Sequence, residues 1–395
     1  MAKLHNKIGP PVEGDDFFGR DAEILHGWAD LENGNNLLIV APRRVGKSSF
    51  AKRLIKEARS LSWNGAYVDV QEVRTEIEFF EVFFDTLDKA SGSWFSKGKD
   101  KAFAAFNLLL DKVKLEWESD AGTFSLGLGG STHIGVKKSL DELLSKVGEM
   151  LIVVDELPYF LNRIEAAERG QERVSDFLHL LRSIRQKSGN KVSWIFCGSI
   201  GLDTFAGRLG LTSTLNDLLP FDISAFDDLT SRAFLRKLGG DNNVPLSENN
   251  IGDILEIIGW PLPFFLQAHF GQLRRLLPLD CKFVTKQMIE EAYRALVQNV
   301  LALKTWDERL GMQIPDLEDM CRKVLKLLSK YRKGLTRSNL FGALYKTGDN
   351  LDVLEVKLSR CLTLLRHDGY LIIIGESYAF RSPLLRDFWY DRYVK

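Results

Sequence analysis

Cysteine is scarce: Cys197, Cys281, Cys321 and Cys361 are the only four in 395 residues, and none are closely spaced. No Cys-x-x-Cys pair or Cys/His cluster occurs, so a zinc site or a disulfide framework is not expected. Isolated cysteines in apolar runs read as small core residues. No apolar run approaches the roughly 18–20 residues of a membrane span, so no membrane association is expected. Residues 1–7 carry no hydrophobic block after their charges, which predicts no signal peptide and a cytoplasmic location. Excess charge is absent too, with 53 Lys+Arg against 53 Asp+Glu. That excludes a globally basic nucleic-acid coat and a strongly acidic disordered chain.

What remains is ordinary globular composition, 45% hydrophobic and 27% charged, and a length that at about 150 residues per domain predicts two to three domains. Residues 1–16, rich in Gly, Pro and Asp, read as an arm. Ile24, Leu25, Trp28 and Leu31 recur at helix spacing, and Asn33-Gly34-Asn35-Asn36 breaks that helix. Leu37-Leu38-Ile39-Val40 reads as a short buried strand, followed by a turn and a helix from Lys47 to about Arg59. Further strands are expected at 66–70, 150–154, 192–197 and, briefly, 221–223. These runs lack polar alternation and have helices between them. Strands of that kind are buried on both faces, so the fold class is α/β with a parallel sheet. Helical periods dominate from about 226 to 305. Residues 90–135 are the least readable. Phe124–Gly130 has the pattern of a hairpin and is assigned no role.

The strongest chemical signal is Gly46-Lys47-Ser48-Ser49, directly after a buried strand and directly before a helix. A polyphosphate needs many donors and few side chains in its way. A tight loop supplies backbone N–H groups, and the helix N-terminus adds partial positive charge. Lys47 is placed to reach the outer phosphates and Ser48 to ligate Mg²⁺. The first position of the G-x-x-x-x-G-K-[ST] pattern is Ala41, not glycine. The second half of the site is Asp155-Glu156, at the carboxyl end of the strand 150–154, where open parallel sheets bind ligands. Asp155 is expected to hold Mg²⁺, and Glu156 to orient or deprotonate the attacking water. Ser199, after the fourth strand, is expected to hydrogen-bond that water or the γ-phosphate; a plain Gly-Ser turn is the alternative.

At these residues the sequence resembles the P-loop ATPases with an additional central strand and a catalytic glutamate. Within these it resembles the AAA+-like and STAND ATPases, near the archaeal-type ATPase and origin-recognition-initiator branches. Phe18-Gly19-Arg20-Asp21-Ala22-Glu23 is similar to the upstream F-G-R-x-x-E box. Pro42-Arg43-Arg44-Val45-Gly46-Lys47-Ser48 is similar to the Arg-rich Walker A, and Val153-Val154-Asp155-Glu156 to Walker B. Gly198-Ser199-Ile200-Gly201 resembles sensor 1, and Gly259-Trp260-Pro261-Leu262 the lid G-x-P. The resemblance implies ATP with Mg²⁺ as cofactors. It implies a nucleotide-binding run of Ala41, Pro42, Arg43, Arg44, Val45, Gly46, Lys47, Ser48 and Ser49, with Arg20 on the base and ribose side and Pro261 in a closing lid. Arg43 and Arg44 face phosphates, a partner or solvent, a structural or partner role being preferred. Arg208 is weighed as an arginine finger against a surface arginine.

Residues 317–395 read as three helices and a β-hairpin, the pattern of a winged helix. Leu351, Leu354, Leu358, Leu362 and Leu365 fall on one face of the third helix. This segment holds 15 Lys+Arg and 9 Asp+Glu, net +6, and the rest of the chain nets −6. Lys357, Arg360 and Arg366 lie on the expected recognition helix, so double-stranded DNA or a protein is the partner to consider. The expected domains are an ATPase core at 1–225, a helical lid at 226–316 and a winged helix at 317–395. Three functional readings stay open. One is a slow ATP-hydrolysing switch, able to form a nucleotide-dependent homo-oligomer. Another is an ATP-regulated DNA-binding factor. The last is a nucleotide-binding scaffold without turnover.

Overall fold

The computed structural model describes residues 3–92, 131–187, 191–198, 201–278, 280–313, 317–348 and 350–395. The hairpin expected at 124–130 lies outside them. Chain contacts divide the protein into two compact units, one of Arg20–Ala41 and Lys47–Ile223, the other of Met1–Gly19, Pro42–Gly46 and Ser224–Lys395.

The first unit is built on five parallel strands: β1 (Asn36–Val40), β2 (Asn64–Asp69), β3 (Met150–Asp155), β4 (Val192–Phe196) and β5 (Leu218–Asp222). Their order is β2-β3-β4-β1-β5, so β4 is an extra strand between the one that leads into the phosphate loop and the one that ends in Asp155. Every residue of β3 and β4 is buried, as the unbroken apolar runs require of a sheet covered on both faces. The fifth strand is longer than the 221–223 read from sequence. It begins at Leu218 and pairs along its whole length with β1. Pro220 is tolerated because β5 is an edge strand, where a missing N–H breaks no ladder.

One face of the sheet carries an aromatic core. The helix Glu76–Ala90, capped by the Thr75 side chain, projects Phe79, Phe80, Phe83 and Phe84 from one face. Phe83 stacks on Trp194 of β4 with centroids 5.8 Å apart, and Phe79 meets Phe160 and Phe177. Each ring buried this way contributes roughly 1.5–3 kcal/mol. Elsewhere in the unit Phe50 stacks on Phe221. The helix Asp21–Glu32 comes close there because Gly27 has no Cβ; one would sit 3.3 Å from Phe50.

In the second unit, helices run over Asp228–Asp241, Glu248–Ile258, Pro263–Leu276, Lys286–Gln298 and Val300–Gln313. Ser247 and Asn250 form a reciprocal capping box at the second of these. Gly259, left-handed at φ 66°, ends that helix, and Pro263 opens the next. Three helices follow, Glu318–Ser329, Arg337–Leu344 and Leu351–His367. A three-stranded antiparallel sheet accompanies them, with β6 (Leu335–Thr336), β7 (Leu371–Ile374) and β8 (Ser377–Phe380) in the order β6-β8-β7. Thr336 caps the middle helix. Leu354, Leu358, Leu362 and Leu365 are buried as their spacing predicts, but Leu351 is 53% exposed, because it is the first residue past the Asn350 cap. A last helix, Pro383–Tyr393, buries Leu384, Leu385, Phe388 and Trp389.

The N-terminal arm packs within this unit. Leu4 is buried, its N–H donates to Asp241 at 2.7 Å, and its carbonyl accepts from Asn242 at 3.0 Å. Among the described residues no helix is long and apolar enough to cross a membrane.

Candidate functional site

The chain leaves β1 at Val40, turns through 41–46, and enters the helix Lys47–Ser60. Gly46, at φ 104°, takes a backbone conformation that residues with a Cβ rarely adopt. Ala41, by contrast, keeps a negative φ, so the departure from glycine at the head of the pattern costs no strain. Lys47 is the first helical residue and is buried, and its Nζ donates to the Ala41 carbonyl at 2.9 Å. The ammonium thus folds back over the loop. Val45 and Ser49 are buried with it.

Ser48 and Asp155, 107 residues apart in sequence, meet directly. The Ser48 hydroxyl donates to Asp155 Oδ2 at 2.6 Å. Asp155 is 3% exposed, and two further side chains bind it. The Tyr67 hydroxyl donates to Oδ2, and the Cys197 thiol to Oδ1 at 3.1 Å. The Glu156 N–H also reaches Oδ1, at 2.9 Å. Burial, and then the charge of Asp155, push the ionisation of both Tyr67 and Cys197 upward. Both therefore stay protonated at neutral pH and serve as donors that fix the carboxylate. Sheet register makes this network. Asp69 pairs with Asp155, and Val154 with Phe196, so Tyr67 on β2 and Cys197 after β4 flank Asp155 from both sides. Sequence reasoning gave neither a role at the site; the signal was a tyrosine two residues before the end of a strand.

Glu156 follows in the left-handed region, φ 61° and ψ 26°, at the N-cap of the helix Leu157–Glu165. Such a conformation strains a residue that carries a Cβ. Gly198 packs against this turn: a Cβ there would lie 2.7 Å from Pro158 Cδ and 3.5 Å from the Glu156 Cα. The close approach of the strand β4 exit to the glutamate therefore needs glycine.

The other expected residues fall as follows. Arg20 is buried and paired with Glu23 at 2.7 Å, and burial lowers its pKa against the opposing pull of that partner. Arg208 makes a two-bond pair with Glu165, one contact at 2.6 Å. Pro261 belongs to the second unit, where its carbonyl accepts the Phe226 N–H at 3.2 Å. Pro42, Arg43 and Arg44 also group with the second unit. Arg43 donates to the Thr305 carbonyl, and Arg44 to that of Gly9, each at 3.3 Å. Ser199 lies outside the described residues. Chemically, a hydroxyl and a carboxylate in contact are hard oxygen donors that suit a small divalent cation. An ammonium at a helix N-terminus suits an anion.

No protein-family model and no curated protein matches this chain. Solved structures do. The Walker-type ATPase paby2304 of Pyrococcus abyssi superposes with a TM-score of 0.67 at 19% identity, over 97% of this chain and 99% of that one. The Aeropyrum pernix ORC2 protein, solved as ADPNP–ADP complexes, superposes with a TM-score of 0.53 at 10% identity, over 99% of this chain and 97% of that one. Sheet order, loop placement and these likenesses agree: the chain has an α/β P-loop fold like that of these two proteins.

Proposed function

We propose that this chain binds ATP with Mg²⁺ and hydrolyses it slowly, as a switch. The observation that carries the reading is the 2.6 Å contact between Ser48 and Asp155, beside a lysine at a helix N-terminus. In this reading Lys47 and the loop N–H groups hold the outer phosphates. Ser48 and Asp155 are the oxygen donors for the metal, which when bound neutralises phosphate charge. Tyr67 and Cys197 keep the Asp155 carboxylate in place. Glu156 orients the attacking water and takes its proton, with Ser199 assigned to the same water or the γ-phosphate. Arg20 serves the base and ribose side, and Pro261 the lid. The core at 1–225, the lid at 226–316 and a winged helix at 317–395 are the parts whose arrangement nucleotide state would change. The ADPNP and ADP complexes of the Aeropyrum pernix ORC2 protein support a nucleotide as the ligand.

Two variants test this. Lys47→Ala abolishes ATP binding measured by calorimetry. Glu156→Gln retains binding but loses phosphate release by about 100-fold or more. Wild-type turnover in both variants would defeat the assignment.

A second reading is favoured by the helix Leu351–His367, along which Lys357, Arg360 and Arg366 are exposed. Here ATP state governs affinity for duplex DNA. DNA binding should then fall steeply with salt, with a log–log slope of about −0.9 for each phosphate neutralised, and the charge-reversed pair Lys357→Glu and Arg360→Glu should flatten that slope. Binding that ignores both salt and the substitutions points to a protein partner.

A further inference from the structure

Three consecutive residues of the phosphate loop rest on three different elements of the second unit. Pro42 lies against Gly369, where a Cβ would meet Pro42 Cβ at 3.1 Å and the Trp260 ring at 2.9 Å. Arg43 bonds the Thr305 carbonyl in the helix Val300–Gln313. Arg44 is held most fully. Its guanidinium lies over the Phe264 ring, 4.5 Å from the centroid, and donates to the Gly9 carbonyl of the arm.

Arg44 is also an unusual arginine. Its backbone is left-handed, φ 67°, which a side chain with a Cβ disfavours. Its Nε is buried without a hydrogen-bond partner, and no carboxylate pairs with it among the described residues. The contacts with Phe264 and Gly9 are thus what hold the side chain. The Gly9 carbonyl is itself delivered by a pinned arm. Leu4 is tied at Asp241 and Asn242. Ile8 and Asn6 sit on Gly271, where a Cβ would lie 2.7 Å from Ile8 Cδ1 and 3.1 Å from Asn6 Nδ2.

We propose that Arg44 is a positioning residue whose side chain, clamped between the Phe264 ring and the Gly9 carbonyl, sets the shape of the phosphate loop. Through it the arm and the helix Pro263–Leu276 control how firmly the loop holds its ligand. The inference rests on the nucleotide-site reading above for the identity of that ligand, but not for the clamp itself. A cation over an aromatic face is favourable and directional, so loss of either member loosens the same loop.

The test is a double-mutant cycle of Arg44→Gln and Phe264→Leu. Its first readout is amide hydrogen exchange at 43–46 without nucleotide, and its second the release rate of a fluorescent ADP analogue. Each single variant should speed loop exchange by roughly 3–30-fold, while β3 and β4 stay protected. The double variant should exceed the larger single effect little, and Arg44→Lys should restore part of the protection. Analogue release should accelerate in step. Loop exchange equal to wild type in Arg44→Gln, or effects that simply multiply in the double variant, would overturn the clamp. Should Arg44→Gln fail to fold, the cycle of Arg44→Lys with Phe264→Leu decides the same point. Absence of analogue binding by the wild type would instead overturn the nucleotide reading, and the exchange measurement would still decide on the clamp.

Discussion

Two buried polar groups, one in each unit, are treated in opposite ways. Asp155 at the end of β3 accepts from Ser48, Tyr67, Cys197 and the Glu156 N–H, so both its oxygens are engaged. His269, in the helix Pro263–Leu276, is fully buried; its Nε2 contacts the Ile289 carbonyl at 3.1 Å and its Nδ1 has no partner. Burial pushes the His269 pKa down to about 4. The difference separates a site from a core. Four donors from separate segments of the chain converge on the one carboxylate that is proposed to face the metal. A single contact merely makes a neutral imidazole tolerable among apolar neighbours.

Breaking the site should cost activity, and breaking the core should cost stability. The largest effect is expected at the strained turn. Glu156→Gly removes the proposed base and should lower phosphate release by about 100-fold or more. Next comes acid. His269 is neutral when folded down to about pH 4 but takes a proton below 6.5 when unfolded. The unfolded state therefore binds more protons between those values, and stability falls as pH drops through that window. The loss is on the order of 3 kcal/mol. Denaturant midpoints followed from pH 7 to 4 should show it, and His269→Gln should flatten that part of the profile. The smallest effect returns to Glu156. Glycine takes the left-handed conformation freely, so Glu156→Gly should gain up to about 1 kcal/mol in thermal unfolding while it loses turnover. A variant that loses both stability and activity would mean that the glutamate supports the fold rather than strains it.

Much of this was legible in the sequence, and the reasons are local. Lys47, Ser48 and Asp155 each sit close to the end of an apolar run whose character announces a strand, so their placement followed from adjacency alone. The helix Leu351–His367 and its hairpin were legible for the same reason, with Leu351 misplaced because a first-turn residue lies before the stripe meets the core. What escaped was set by register and by approach between distant segments. Tyr67 becomes an Asp155 donor only because β2 pairs with β3. β5 runs further back than expected because an edge position excuses Pro220. Arg43 and Arg44 read toward phosphate, partner or solvent, with a structural or partner role preferred, but their contacts with Thr305, Gly9 and Phe264 depend on distant segments. The helix Pro383–Tyr393 was not read from the sequence, although Leu384, Leu385, Phe388 and Trp389 recur on one helix face.

The nucleotide site is tested most directly by a crystal structure with a non-hydrolysable ATP analogue and Mg²⁺. The triphosphate is expected in the 41–48 loop beside Lys47 Nζ, with a metal about 2.1 Å from the Ser48 hydroxyl on the side of Asp155. A triphosphate bound elsewhere, with Ser48 and Asp155 still in direct contact and no metal beside them, would refute the assignment.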